Sequence, residues 1–492
     1  MDTSLGINLS DYNAAGQAGG FAGGNMEDIN NLTKALDAGQ ITGRETTDLT
    51  TASGAPLKVE SLEKTLKHLT FNENDIVLWK NVPKKAAFNT VEEYNQLTSY
   101  GQDRGGFNNE GELPVEEDSQ YIRRAQLVKY LGVTKSVSHQ MQLVNTMVGN
   151  IIERETKNGT MWILRKLNKS LYFGDSALVP QEFNGFIAQH QRSDAWTSLN
   201  DYYGSTSIVD ARGASLTEAM IETGANNIVE NFGVASQLYA PPSVISNFVK
   251  NFYGNKFIQP NSPALTNGVM GQVVNTFASQ FGNIGLNWDI FFKKLPTKLN
   301  TAIATSTNAP AAPTISAVAA VGSDASSKWI AADAGTYFYA VTGINRFGES
   351  TLAITAAGTA VVTGGALDLT FAGTSSTYPA TAFRIYRSNK GAASAAVATF
   401  YPLFDISLAE LTAGFDGGAA GVARDRNRLL PNCDQAFLLQ MNNEVIEFAQ
   451  LAPLMKMDLA IISPAYRFML LMYGTPFLYA IRKMVRIINI GA

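Results

Sequence analysis

Two strand-like segments separated by an acidic, glycine-bearing stretch constrain the fold more than any other feature of the sequence. The first runs from Ala86 to Tyr94 and the second from Tyr121 to Val137, and both carry apolar residues at β-strand spacing. Between them, Gln102–Ser119 contains one basic residue, Arg104, and the acidic residues Asp103, Glu110, Glu112, Glu116, Glu117 and Asp118. The pattern predicts a long β-hairpin with an acidic tip. A charge run is ordinarily a solvated surface, whereas the length of these strands favours an outstretched arm.

The apolar spacing becomes helical after this hairpin. From about Ser138 to Tyr172 apolar residues recur at intervals of three and four, which predicts one long helix of about 50 Å if it is continuous. Gly149 and Gly159 lie inside it, and a kink or a break at either stays open from the sequence. Ser215-Leu-Thr-Glu218 is a capping box that predicts a second helix. A strand at Gln237–Ala240 and a helix starting at Pro242 complete an α+β pattern.

The composition changes at about Thr301, where charged residues become sparse and Ala, Thr, Gly and Ser predominate until about Gly421. Short alternating segments recur through this part of the chain: Thr336–Val341, Thr351–Thr355, Leu367–Phe371 and Phe383–Tyr386. Their spacing predicts a separate β-sandwich, for which about 110 residues suffice. After it, Ala436–Phe448 is predicted to be a hairpin that turns at Asn442-Asn443, and Arg482–Ile490 a terminal strand.

Composition and charge exclude several classes of protein. The formal net charge of -4 is not that of a polycationic nucleic-acid binder, and one cysteine, Cys433, cannot form an intrachain disulfide. Residues 1 to about 55 are rich in Gly, Ala and Asn and predict either an extended arm that becomes ordered only on another surface or a disordered tail. The first residues lack the pattern of a secretory signal, so synthesis in the cytoplasm is expected, and no segment is long and apolar enough for a membrane helix.

No motif of enzyme chemistry stands out in the sequence. A phosphate-binding loop, a dinucleotide fingerprint, a zinc-protease helix, a calcium-binding loop and a serine elbow are all absent. His68, His139 and His190 are the only histidines and lie far apart, so they are expected to be surface or satisfied buried residues. We therefore expect no enzyme activity, no cofactor and no metal site.

Several local motifs resemble those of a known protein family. They are Val91-Glu-Glu-Tyr94, Glu110-Gly-Glu-Leu-Pro114, Glu153-Arg-Glu-Thr-Lys-Asn-Gly-Thr160, Leu171-Tyr-Phe-Gly-Asp175, Phe183-Asn-Gly-Phe-Ile187, Leu451-Ala-Pro-Leu454 and Ile487-Ile-Asn-Ile490. In this order they resemble tailed-bacteriophage major capsid proteins of the Hong Kong ninety-seven, or Johnson, fold. The later part, especially Tyr339–Glu349, resembles immunoglobulin or fibronectin type III domains.

The resemblance implies an α+β phage major capsid fold, Hong Kong ninety-seven-like, with an all-β immunoglobulin-like sandwich insertion. The loop-like stretch Gly414–Leu430 would be the return strap of that insertion. The implied divisions are an N-terminal arm at 1–65, an extended-loop hairpin with flanks at 66–137, a peripheral domain with the long helix at 138–204, an axial domain at 205–303 and 429–460, the inserted sandwich at 304–428, and the peripheral domain's C-terminal strand at 461–492.

The resemblance further implies a subunit that assembles into pentamers and hexamers of an icosahedral or prolate shell around double-stranded DNA. Its expected location is the virion capsid, assembled in the host bacterial cytoplasm. The expected partners are other copies of the chain, a portal, scaffolding and decoration proteins, DNA bound without sequence recognition, and surface glycans if the insertion binds them; bracing of neighbouring capsomers is the favoured role of the insertion. The six acidic residues of the hairpin tip are the expected assembly contacts. Some family members cross-link through a lysine on this loop, and Gln102–Ser119 contains none.

Two alternatives remain open from the sequence. A compartment shell of the encapsulin type would share the fold and enclose enzyme cargo instead of DNA, but the inserted β-domain and long arm argue against it. A surface adhesin would use the sandwich as a binding module, but it would need an export signal.

Overall fold

The computed structural model describes residues 70–101, 106–143, 150–255, 274–293, 295–299, 301–461 and 463–491. The predicted arm at 1–65 lies outside the described residues. In the described part the helices are α1 (Leu78–Asn81), α2 (His139–Leu143), α3 (Ile151–Phe173), α4 (Phe186–Gln191), α5 (Leu199–Gly204), α6 (Glu218–Glu230), α7 (Pro242–Asn255) and α8 (Leu408–Ala413). Short 3-10 turns lie at Glu73–Asp75, Ile290–Phe292 and Ile481–Lys483.

The strands before the predicted insertion are β1 (Lys84–Ala86), β2 (Val91–Ser99), β3 (Gln120–Leu127), β4 (Lys129–Ser138), β5 (Ile208–Asp210), β6 (Gln237–Ala240), β7 (Thr276–Ser279), β8 (Gly282–Trp288) and β9 (Lys298–Leu299). The later strands are β10 (Thr314–Val321), β11 (Gly335–Tyr337), β12 (Tyr339–Asn345), β13 (Gly348–Glu349), β14 (Ala353–Ile354), β15 (Thr359–Val361), β16 (Ala366–Ala372), β17 (Ala382–Ser388), β18 (Thr399–Ser407), β19 (Val422–Asp425), β20 (Asp434–Leu439), β21 (Ile446–Asp458), β22 (Ala465–Leu478) and β23 (Met484–Ile490).

Two sheets and the long helix share the first core. One sheet has the order β1-β21-β22-β4 and the other the order β5-β23-β20-β6-β8-β7. Apolar side chains of the helix and of both sheets form one buried cluster, which includes Leu167, Leu171, Phe437, Phe448 and Met484. This cluster holds the helix against both sheets. Replacing one of its large apolar side chains with a small one would cost about 2–5 kcal/mol.

The long helix is shorter than the sequence predicts. Asn150 has an extended backbone and its side-chain oxygen accepts a hydrogen bond from the Ile152 amide at 3.0 Å, so it caps a helix that begins at Ile151. The expectation of one continuous helix from Ser138 is therefore wrong. Gly159 does not break the helix; a Cβ there would lie 2.5 Å from a Leu470 methyl carbon, so glycine is what lets the helix approach β22 this closely.

Two other local expectations are corrected. The helix α6 is capped by Thr217, whose hydroxyl accepts from the Met220 amide, and not by Ser215. The hairpin predicted at Ala436–Phe448 does not form, because β20 and β21 belong to different sheets and Asn442 turns the chain from one to the other.

The segment 461–492, predicted to hold the C-terminal strand of the peripheral domain, contributes strands to both sheets. β23 pairs with β20 and β5 in the six-stranded sheet, and its Met484 lies in the same buried cluster as Leu167 of the long helix. Only β22, in the first part of that segment, joins the four-stranded sheet. The reason is that β23 buries all seven of its residues and so needs neighbours on both edges and both faces.

The predicted insertion forms two sheets around a core of its own. One has the order β10-β16-β19 and the other the order β13-β12-β17-β18-β9, with β14 also paired to β12 and β11 paired to β15 beside them. Leu367 and Phe371 of the first sheet and Val341 and Ile385 of the second lie in the shared apolar cluster. The expected return strap Gly414–Leu430 is not all loop, since β19 within it pairs with β16.

Candidate assembly interface

The predicted hairpin exists as a two-stranded antiparallel ribbon. β2 and β3 pair from Val91 opposite Leu127 to Ser99 opposite Gln120. At about 3.3 Å per residue, strands of nine and eight residues make a ribbon of roughly 25–30 Å. The second predicted strand segment, Tyr121–Val137, is divided at Val128, after which β4 leaves the ribbon and pairs with β22. A two-stranded ribbon has little stability alone, so its base needs support.

Aromatic packing supplies support at the base. The Tyr94 ring meets the Phe477 ring edge to face at 5.5 Å and the Tyr479 ring at 4.7 Å. Burial raises the pKa of the Tyr94 hydroxyl. Lys85 donates to the Tyr479 hydroxyl at 2.7 Å, and that hydroxyl donates to Glu447 at 2.8 Å. These contacts attach the root of the ribbon to the end of β22.

A charged contact fixes the ribbon through its second strand, at the residue directly opposite Tyr94. Both carboxylate oxygens of Asp194 accept from one terminal nitrogen of Arg124 at 2.9 Å, and the Arg124 Nε donates to Gln96 at 2.6 Å. The hydrogen bond from Arg124 lowers the pKa of the Asp194 carboxyl. Because Arg124 lies on β3 and Asp194 follows α4, the pair ties the ribbon to the segment after the long helix.

The tip is the predicted contact site, and the structure places most of its acidic residues there. Glu110, Glu112, Glu116, Glu117 and Asp118 are all exposed, while Asp103 lies outside the described residues. The Glu112 carboxylate accepts from the Asn109 amide at 3.1 Å and side chain at 2.9 Å, so this acid also holds a local turn.

Large apolar side chains also lie exposed at the same tip, and the contact residues predicted from the sequence did not include them. Every residue from Gly106 to Ser119 is exposed, and among them Phe107 is 101% and Leu113 89% exposed, with Val115 at 66%. Such residues are normally buried or scattered singly, and several on one short segment mark an interaction site. The sequence does contain a signal for them: they are large apolar residues among Gly, Asn and Glu, in a segment without the apolar periodicity of a buried helix or strand.

Potential metal ligands are dispersed through the described part of the chain. No three His, Cys, Asp or Glu side chains there are grouped to hold a metal ion. His190 is buried and bonded to the Tyr202 hydroxyl and the Met484 carbonyl, each at 3.1 Å, and burial, with Arg486 nearby, lowers its pKa to about 3. His190 is thus a satisfied core residue, His139 is on the surface, and His68 lies outside the described residues. No described helix meets the length and apolarity that crossing a membrane would require.

Comparisons with known proteins identify the class. Residues 41–308, more than half of the 492, match the family of SU10 major capsid proteins. The chain is 25% identical over 454 residues to the major capsid proteins of Staphylococcus phages S25-3 and K, which covers 91% of this chain and 93% of each relative. The solved capsid of the cyanophage P-SCSP1u is similar at a TM-score of 0.44 and 9% identity, over 92% of this chain and 98% of that one.

The protein is therefore the subunit of a viral shell. The chain belongs to the SU10 major capsid protein family. It is the major capsid protein of a tailed phage, it associates with copies of itself, and its place is the virion capsid. The predicted α+β phage capsid fold and capsid function are confirmed.

Proposed function

We propose that the described part of the ribbon tip, Gly106–Ser119, is an assembly contact that docks on a neighbouring copy of the chain in the shell. The observation that carries the proposal is the complete exposure of Gly106–Ser119 together with the large apolar side chains Phe107, Leu113 and Val115. The supports for the ribbon lie at its base, at Tyr94 and Arg124. Because the tip contributes so little to the stability of its own subunit, its role is to bind another surface.

The energetics favour this contact when it is repeated. Burying one Phe or Leu side chain contributes about 1.5–3 kcal/mol, so each tip supplies only a modest free energy. In a closed shell the same contact recurs at every subunit, and modest contacts then act cooperatively. The acidic residues would orient the tip toward a basic receiving surface and speed its encounter.

The apolar part of the proposal is tested by the double variant Phe107→Ser/Leu113→Ser. Because both side chains are exposed, the thermal unfolding of the free subunit should not change, whereas shells seen by negative-stain microscopy and sedimentation velocity should be greatly reduced. The matched control is Val397→Ser, an apolar residue of the inserted unit with 69% exposure. Normal shells from the double variant would refute the docking role.

The charged part is tested with Glu110→Gln/Glu116→Gln. Glu112 is left unchanged because its carboxylate holds the turn at Asn109. The salt dependence of the assembly rate should weaken, since fewer charges would be screened. An unchanged salt dependence would show that these carboxylates do not meet a charged partner.

For the inserted unit we favour a brace between capsomers over a binding module. It is fixed to the rest of the chain by polar contacts: Arg192 with Glu410 at 2.5 Å, the Thr381 hydroxyl with the Leu178 carbonyl at 2.6 Å, and Arg428 with the Leu199 carbonyl at 2.9 Å. A rigid attachment suits load bearing. Retention of assembled shells on mucin or polysaccharide columns would instead support glycan binding.

The remaining expected partners, a portal, scaffolding and decoration proteins and packaged DNA, are proposed from membership in a capsid family. The formal net charge of -4 supports DNA enclosure without tight or base-specific binding. Salt-independent retention of DNA by empty shells would contradict this part of the proposal.

A further inference from the structure

Phe232 has an unusual backbone conformation at the C-terminal end of α6. Its φ angle is 59°, in the left-handed region, and the side chain is 93% exposed. The Phe232 amide donates to the Val229 carbonyl at 2.9 Å and the Gly233 amide to the Ile228 carbonyl at 3.0 Å, so Phe232 occupies the helix-ending position that glycine ordinarily takes. A bulky aromatic residue there is strained.

No contact among the described residues compensates for this strain. A side chain that is almost fully exposed gains nothing from packing, and the hydrogen bonds at this position come from the backbone, which glycine would make equally well. Strained residues persist where another requirement holds them, and such outliers concentrate at functional sites. The requirement that keeps an aromatic residue at position 232 therefore comes from outside the described chain.

The surroundings of Phe232 carry the features of a contact patch. Val234, two residues on, is also exposed, at 51%. Glu230 is exposed on the α6 side and bonds only to the Asn226 side chain, at 2.8 Å. Lys483 lies on the other side, since a Cβ at Gly233 would be 3.1 Å from its Cγ. Among the described residues neither Glu230 nor Lys483 has an ion-pair partner.

From this arrangement we propose that Phe232 and Val234, flanked by Glu230 and Lys483, form a second contact between copies of this chain, separate from the ribbon tip. The partner is a second copy because the protein assembles with itself and because the patch carries both signs of charge beside an apolar centre. A surface that pairs with its own copy needs such self-complementarity, with Glu230 of one subunit opposite Lys483 of the next.

The decisive variant is Phe232→Gly in the full-length chain. Glycine relieves the strain at this angle, so the melting temperature of the free subunit should rise by a few degrees, roughly the shift that small stabilisations give. Shell formation should fall at the same time, as the concentration needed for assembly rises severalfold. Phe232→Asn, which tolerates the same angle without an apolar side chain, should also assemble poorly.

Opposite results overturn the inference. If Phe232→Gly assembles like the unchanged protein, the aromatic side chain makes no contact between copies. If Phe232→Gly lowers the melting temperature, the residue serves its own fold and the strain argument fails. Neither variant alters Gly106–Ser119, so these outcomes are independent of those from the ribbon-tip variants.

A charge exchange tests the partner. Glu230→Lys and Lys483→Glu should each weaken assembly, because like charges would then meet across the contact, and the double variant should restore it. Glu230 is exposed and Lys483 is half-buried without an ion-pair partner among the described residues, so unfolding of the free subunit should change little in any of the three. Failure of the double variant to recover assembly would rule out a pairing of Glu230 with Lys483 between copies.

Discussion

The buried ion pair of the inserted unit gives the sharpest test of how that unit is held together. Arg387 is 1% exposed, and its guanidinium donates to Asp425 and to the Asn427 side chain, each at 2.7 Å. The Tyr339 hydroxyl donates to the same Asp425 oxygen at 2.7 Å, and the guanidinium lies 4.6 Å from the centre of the Trp329 ring. The pair therefore joins strands of both sheets at the centre of the unit.

The perturbation is Asp425→Ala. It leaves a buried guanidinium without its counter-charge, which costs about 3–5 kcal/mol, and the Tyr339 hydroxyl without an acceptor, which costs about 1–3 kcal/mol. Asn427 and the Trp329 ring still contact Arg387, so we expect the lower end, about 4 kcal/mol. Each 1.36 kcal/mol is a factor of ten, so the loss corresponds to roughly a thousandfold.

The assay is hydrogen exchange of the amides of β17, measured by mass spectrometry on the free subunit, since their slowest exchange reports opening of the unit. Protection should fall roughly a thousandfold in Asp425→Ala and recover by at least tenfold in Arg387→Met/Asp425→Ala, where no charge remains unpaired. Glu93→Ala, which removes the exposed pair with Arg123, is the control and should cost less than about 1 kcal/mol. Equal protection in the single and double variants would refute the reasoning.

Three further predictions concern the cap, the turn and the attachment of the inserted unit. Asn150→Ala should lower the free energy of unfolding by about 1 kcal/mol in urea titrations, because an amide of the first turn of α3 loses its acceptor. Gly185→Ala should cost about 1–3 kcal/mol in the same titrations, since a Cβ there would lie 2.5 Å from a backbone carbonyl oxygen, whereas Gly204→Ala, with open space around it, should be near neutral. The pKa of Glu410 is held below its ordinary value of 4.5: burial opposes the shift, but the Arg192 ion pair outweighs it. The stability that this ion pair contributes is present above pH 4.5 and is lost as the pH falls through the lowered pKa. Proteolytic release of the inserted unit should therefore increase when the pH falls below the lowered pKa. In Glu410→Gln, release should already be raised at neutral pH and should not increase further on acidification.

Local patterns in the sequence predicted local structure well. The alternation around Val91 and Tyr121 predicted the ribbon, and the three-and-four spacing up to Tyr172 predicted α3, because both patterns come from neighbours along the chain. The start of α3 was missed for a physical reason. Asn150 continues the polar side of a helical pattern equally well, and only its extended backbone shows that it caps the helix.

The sequence could not predict which strands pair when they lie far apart along the chain. The segment Val485–Ile490, apolar except for Arg486 and Asn489, fits the centre of any sheet, so the pattern could not show that β23 inserts between β5 and β20. Asn442-Asn443 has the residue types of a hairpin turn, yet here it joins strands of two sheets. Within the candidate interface, charge indicated the tip. Phe107 and Leu113 stand outside any core periodicity in the sequence, but only the structure shows that they are exposed.

The two kinds of residue at the ribbon tip have opposite effects before and after assembly, and this explains why they occur together. A free subunit that exposed Phe107 and Leu113 without charge would associate at any apolar surface. Carboxylates such as Glu110 and Glu116 on the same segment make two free tips repel each other, while a basic receiving surface removes that repulsion only at the correct site. On this argument the acids contribute more to the choice of partner than to affinity, so neutralising them should increase irregular aggregates even where closed shells still form.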